Sequence, residues 1–319
     1  MSKRLIVKIL YNAFIFCIIA VLVSEPSYGL AVINVELTSV KQKIEGFGGN
    51  GAFYEGLLSA HPKKQEIYNT IFGGLGTSIY RIRNSYETGY AEDMQHQAEA
   101  IQAAETSLGH PLKIMISSWS PPSYLKSNGS VVGGTLARRY NPDGPYKYDE
   151  FAEWWTNSLI AYEDLGITAT YISIQNEPSL SLSYPSCKFS RSEEADWAGH
   201  DSALNAVYQK LSTMEEAPKI LAPDTFSSSV AQYYLDVTSN LTQQLYGYAH
   251  HLYGMGEGVT QSDKFDNPDS LIPDMKQFLS KYGDKPIFQT EFCRFWYSDG
   301  FREAMNTANH ILNNLVEEN

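Results

Sequence analysis

The chain has 319 residues, of which 43% are hydrophobic and 19% charged, the profile of a folded globular protein rather than a disordered one. That length suits one large α/β domain or two ordinary ones. A formal net charge of −12 excludes a nucleic-acid partner held by its phosphates, which such a surface repels.

Residues 1–29 read as a secretory signal. Lys3, Arg4 and Lys8 form the basic start, Ile9 to Val23 the apolar run, and Ser27, Tyr28 and Gly29 precede the cut. Secretion follows, with no stable membrane insertion after cleavage. Cys17 falls in this leader, leaving Cys187 and Cys293. Two cysteines specify no bridge by themselves, and free thiols are the expectation.

Ile33, Val35 and Leu37 alternate with polar residues, as in a half-buried strand. The glycine-rich run Gly46-Phe47-Gly48-Gly49-Asn50-Gly51 lacks the spacing of a nucleotide loop. Bending and close backbone approach explain it better. From there strand and helix patterns alternate. The expected strands are Gly46–Phe53, Ser78–Arg83, Lys113–Trp119, Thr170–Glu177, Lys219–Phe226, Tyr246–Tyr253 and Pro286–Phe292. The expected helices are Lys63–Phe72, Ala91–Leu108, Asp149–Leu165, Glu193–Glu215, Ser228–Ser239, Asp269–Tyr282 and Phe301–Val316. Ser190 and Glu193 stand at capping-box spacing. Seven such units predict a parallel sheet curling into a (β/α)8 barrel over residues 45–319, incomplete because the eighth strand is missing. An open doubly wound sheet is the alternative.

Two strands end in a glutamate, Glu177 within Gln175-Asn176-Glu177-Pro178 and Glu291 within Gln289-Thr290-Glu291. A barrel gathers its chemistry at the carboxyl ends of its strands. Glycoside hydrolysis with retention needs two carboxyl groups close together. Asn176 is placed to meet a sugar 2-hydroxyl, Arg81 to keep Glu291 ionised, Tyr253 to orient Glu291, and Trp119 to stack on a pyranose. His250 and His251 have no ligand partner at metal spacing in the sequence, so no metal and no cofactor are expected. Arg81 and Arg83 share a strand face and need partners if buried. Trp154 and Trp155 read as packing.

The stretches Ser117-Ser118-Trp119-Ser120-Pro121-Pro122-Ser123-Tyr124-Leu125-Lys126, Gln175–Pro178, His251-Leu252-Tyr253-Gly254 and Thr290-Glu291-Phe292 resemble glycoside hydrolase family 30. The resemblance runs from about Ile33 to the end of the chain. It implies a (β/α)8 barrel with a side β-domain whose first strand lies in residues 30–44. It implies Glu177 as acid/base and Glu291 as nucleophile, with Arg81, Trp119, Asn176, His251 and Tyr253 lining the sugar site. The flanking motifs look most like the xylanase branch, with glucosylceramidase and endo-β-1,6-galactanase or glucanase as alternatives. Arg294 is placed to meet a glucuronate branch or to form an ion pair. A polysaccharide or oligosaccharide is the expected partner of a monomer. The alternative of another class is a fragment that binds glycans without cutting them.

Overall fold

The computed structural model describes residues 36, 38, 40, 42–140, 144–253, 266–293 and 300–318. The signal reading, the strand at Ile33–Leu37 but for Glu36, and the assignments to Gly254 and Arg294 lie outside them. Met1–Lys43 and Ile44–Asn319 are separate units. In the first, the Thr38 hydroxyl donates to Glu36 Oε1.

In the second unit, strand and helix alternate as β1 (Gly48–Asn50), α1 (Glu55–Ala60), α2 (Lys64–Tyr68), β2 (Ile79–Arg83), α3 (Ala91–Leu108), β3 (Lys113–Ser117), α4 (Tyr148–Glu163) and β4 (Ala169–Ser173). They continue as α5 (His200–Leu211), β5 (Lys219–Thr225), α6 (Ser228–Leu235), β6 (Gly247–His251), α7 (Ile272–Tyr282), β7 (Ile287–Glu291) and α8 (Phe301–Glu317). The strands form one seven-stranded sheet in chain order, every pair parallel. This is the arrangement of a (β/α) barrel.

Side chains alternate across each strand. Tyr80, Ile82, Ile114, Ile116, Ile172 and Tyr248 point outward and join the main core with Phe151, Trp154 and Trp155 of α4. Met115, Tyr171, Leu221 and Ala249 point inward and pack against Ile79, Tyr246 and Phe288. Arg81, two residues beyond Ile79, therefore also faces the interior, above this apolar layer. The floor below the layer is polar. Glu45 accepts from Tyr246 at 2.7 Å, from Tyr171 at 3.0 Å and from Lys113 at 3.2 Å.

Close approach accounts for one glycine of the first strand. A Cβ on Gly48 would stand 2.2 Å from the Ile79 carbonyl oxygen, so only glycine lets β1 lie against β2 here. Among the described residues no ladder joins β1 to β7, and β1 is exposed along its length.

Several boundaries depart from expectation. The helix expected from Glu193 begins at His200, with Gly199 as its cap residue. Ser190 and Glu193 belong to a loop instead. The Ser190 hydroxyl serves the Ala198 carbonyl at 3.2 Å, and Glu193 accepts from the Tyr148 hydroxyl at 2.8 Å. A bond within the loop and one to the distant Tyr148 thus override the capping signal. The extra short helix α1 was unforeseen. β4 ends at Ser173, so Glu177 stands beyond the strand, in the left-handed region at φ 45°. The Phe301–Glu317 helix leaves Met305, Ile311 and Leu312 of its apolar face exposed. Cys187 and Cys293 are both free thiols, the first buried and the second exposed.

Candidate active site

Arg81 is the hub. Its guanidinium is 3% exposed and donates to four side chains: Ser117 Oγ at 3.1 Å, Glu291 Oε2 at 2.6 Å, Asn176 Oδ1 at 2.7 Å and Asp224 Oδ2 at 2.9 Å. A buried cation requires partners of this kind. The partners come from the ends of β3, β4, β5 and β7, the end of the barrel where the sheet places its loops. Arg83 is paired separately, with Glu55 at 3.5 Å and with Asp93.

His251 closes the cluster from β6. Its Nδ1 lies 3.1 Å from Glu177 Oε1 and its Nε2 lies 3.3 Å from Asp224 Oδ1. Burial opposes a charged imidazole, but Glu291, Asp224 and Glu177 outweigh it and lift His251 to about 9. Both ring nitrogens then donate. Asp224 also accepts from Thr290 and, at 3.3 Å, from Ser117. Burial pushes the Asp224 carboxyl up, and the charges of Arg81 and His251 overrule it, so it stays ionised well below the usual carboxylate range. Glu291 follows the same pattern. Burial raises it, His251 and Arg81 lower it more, and the net direction is down.

Tyr253 donates to Glu291 Oε1 at 3.0 Å and stands 3.2 Å from Cys293 Sγ. Burial and the neighbouring Glu291 charge push its phenol up, so the proton stays on the donor. Asn176 gives its oxygen to Arg81, which leaves its NH₂ free to face the cleft. Its backbone N–H is fixed on the Ser118 carbonyl at 2.7 Å, and that of Glu177 on the Asp224 carbonyl at 2.9 Å. These bonds hold Glu177 in its positive-φ conformation, unusual for a non-glycine residue. One carboxylate oxygen of Glu177, one of Glu291 and a ring nitrogen of His251 all lie within 4.8 Å of one another.

The structure thus brings together Glu177, Glu291, Arg81, Asn176, His251 and Tyr253. Trp119 is near them but is not an open wall. Its ring is 4% exposed, carries the Arg81 guanidinium 4.5 Å from its centroid, and meets Phe53 edge-on at 5.8 Å. Among the described residues, Phe53, 45% exposed, and Tyr184, 41% exposed, are open aromatic rings beside it, with centroids 6.2 Å apart. Sequence reasoning missed them, along with Asp224, Ser117, Thr290 and Asn50.

Glu177, His251 and Glu291 have the spacing to hold a metal ion. The sequence offers no such set, because the carboxylates come from other strands. Arg81 and a protonated His251 already supply two positive charges to the same carboxylates, and a cation would have to displace them. The donor set fits a hydrogen-bonded ion network better than a metal centre.

The family described as the glycosyl hydrolase family 30 TIM-barrel domain matches residues 80–211, which include Arg81, Asn176 and Glu177. The chain is 36% identical over 167 residues to an endo-1,6-beta-D-glucanase of Neurospora crassa, covering 43% of this chain and 34% of that protein. It is 25% identical over 168 residues to the lysosomal acid glucosylceramidase of Mus musculus, covering 44% and 32%. The chain therefore spans about a third of the length of these relatives. Its fold matches the catalytic domain of GH30 xylanase C from Talaromyces cellulolyticus with a TM-score of 0.64 at 21% identity, covering 86% of this chain and 66% of that one. The resemblance to glycoside hydrolase family 30 holds in both sequence and fold.

Proposed function

Taking a family 30 barrel as the premise, we propose that this protein is a retaining β-glycoside hydrolase. The single observation that carries the reading is the approach of Glu177 and Glu291 within 4.8 Å, oxygen to oxygen. Retaining enzymes hold their two carboxyl groups about 5–5.5 Å apart, whereas inverting ones need roughly 6.5–9.5 Å to admit a water.

The roles follow from the surroundings. Glu291 is kept ionised by Arg81 and His251 and is oriented by Tyr253, which suits a nucleophile. Arg81 and His251 carry two positive charges, Asp224 and Glu291 two negative ones. Glu177, facing Glu291 across the cleft with its Oε1 3.1 Å from His251 Nδ1, is the acid/base. In the first step Glu291 bonds to the anomeric carbon. The leaving oxygen departs with its electron pair and takes the Glu177 proton. In the second step water gives its proton to Glu177 and displaces Glu291. The free NH₂ of Asn176 is available to the sugar 2-hydroxyl, a contact that strengthens in the transition state.

A β-1,6-glucan is the substrate we place first, because the Neurospora crassa relative carries that activity in its name and is 36% identical to this chain over 167 residues. Xylan is the second reading. It rests on the Ser117–Lys126 and His251–Tyr253 stretches. Glucosylceramide remains the third, on the mouse relative. Secretion after removal of residues 1–29 belongs to the same proposal.

Reducing-sugar release from β-1,6-glucan, glucuronoxylan, linear arabinoxylan, β-1,6-galactan and glucosylceramide tests it, with Glu291→Ala as control. Release from one substrate by the wild type alone supports the reading. Tight glycan binding with no release from any of them would replace it with a glycan-binding protein.

A further inference from the structure

Glu291 is held by an unequal set of donors. Its Oε2 accepts from Arg81 Nη1 at 2.6 Å and from Asn50 Nδ2 at 3.3 Å. Its Oε1 accepts from Tyr253 at 3.0 Å. A carboxylate oxygen has two lone pairs. Oε2 is therefore filled, and Oε1 keeps one pair. Asn50 is itself fixed, because its Oδ1 takes the Ala52 backbone N–H at 3.0 Å, which turns the NH₂ toward Glu291. Asn50 ends β1 and Glu291 ends β7, so this bond reaches across the seam where the two strands make no ladder.

The geometry points to Asn50 as a positioning residue that occupies Oε2 and leaves Oε1 as the attacking oxygen. The inference rests on the retaining-hydrolase reading above. The new C–O bond forms at Oε1. The bond from the anomeric carbon to the leaving oxygen breaks with its electron pair, and that oxygen takes the Glu177 proton. Oε2 becomes the carbonyl oxygen of the glycosyl ester and keeps its two donors. Arg81 alone leaves Oε2 with a spare pair, so without Asn50 either oxygen faces the sugar with an open site.

Asn50→Asp separates this role from a structural one. Aspartate retains an oxygen for the Ala52 N–H but replaces the donor facing Glu291 with a second acceptor. Two readouts are needed. The first is a ¹³C titration of glutamate-labelled protein, with the Glu291 signal identified by its loss in Glu291→Gln. The second is the pH profile of kcat/KM on an activated aryl β-glycoside. The expected result is a Glu291 titration moved to higher pH, an acid limb of the profile moved the same way, and a fall in kcat of at least about tenfold with little change in KM. Asn50→Ala, in which only the donor and the Ala52 contact are lost, should move both readouts in the same direction but less. An active wild type with Glu291 titration and profile unchanged in Asn50→Asp would overturn the assignment. If the wild type cuts no glycoside yet the titration moves, the Asn50 contact stands and the hydrolase reading falls.

Discussion

The Arg81 guanidinium lies 2.6 Å from the Glu291 carboxylate and joins β2 to β7 through the middle of the barrel. Arg81 is buried, so the pair is strong only because its other donors are also taken, by Asp224, Asn176 and Ser117. The nucleophile and the scaffold thus share one ion network, and a change in either should be felt in both.

The two carboxyl roles are separable by chemical rescue. Glu291→Ala should abolish turnover, and azide should restore part of it as the glycosyl azide of inverted configuration. Glu177→Ala should lose about 10²–10⁴-fold on poor leaving groups and much less on a dinitrophenyl glycoside, and its azide product should keep the β configuration. Swapped product configurations, read by NMR, would reverse the assignment.

Asp224→Asn removes the charge opposite Arg81 without changing the shape of the side chain. It leaves a buried guanidinium short of a partner and His251 without a carboxylate on Nε2. The expected loss is roughly 3–5 kcal/mol in urea unfolding. A midpoint equal to that of the wild type would show that Arg81 draws nothing from Asp224.

His251 makes stability fall on the alkaline side. Its folded value is raised from the ordinary ~6.5 to about 9. The stability it contributes is complete below about pH 6.5 and drains away as the pH rises through 9. Thermal midpoints of the wild type should decline across that window, and those of His251→Asn should decline less. Parallel curves would mean that His251 is neutral in the folded protein.

Glu45 works in the opposite direction at the floor of the barrel. The Tyr246 bond, opposed by burial and aided by Lys113 and Tyr171, brings its carboxyl down to about 2. Its contribution is full above about pH 4.5 and is lost as the pH falls through 2. Glu45→Gln should cost roughly 1–3 kcal/mol at neutral pH and flatten the acid limb of the stability curve. An unaltered acid limb would count against the network.

Much of this was legible in the sequence. The strand–helix alternation gave the barrel, and strand ends rich in Gln, Asn and Glu pointed to Glu177 and Glu291. Alternation on one strand put Arg81 and Arg83 on a shared face, where burial would require partners. Asp224 was not legible. It follows Leu221-Ala222-Pro223 at a strand end, where an aspartate reads as a cap, and its four partners come from other elements. Asn50 was hidden within a glycine run explained by backbone geometry. For Trp119, a strand end places an aromatic near the cleft but does not tell that Arg81 and Phe53 cover its ring. The loop before α5 misled through Ser190 and Glu193, whose spacing suits a cap while Ser190 instead serves carbonyls of its own loop and Glu193 the distant Tyr148.

The most direct test of the account is the anomeric configuration of the first product, followed by ¹H NMR during hydrolysis of the β-glycan that the protein cuts. With Glu177 and Glu291 within 4.8 Å, the newly formed reducing end should be β and convert to the α anomer only by mutarotation. Appearance of the α anomer first would contradict the double displacement and the nucleophile assignment to Glu291.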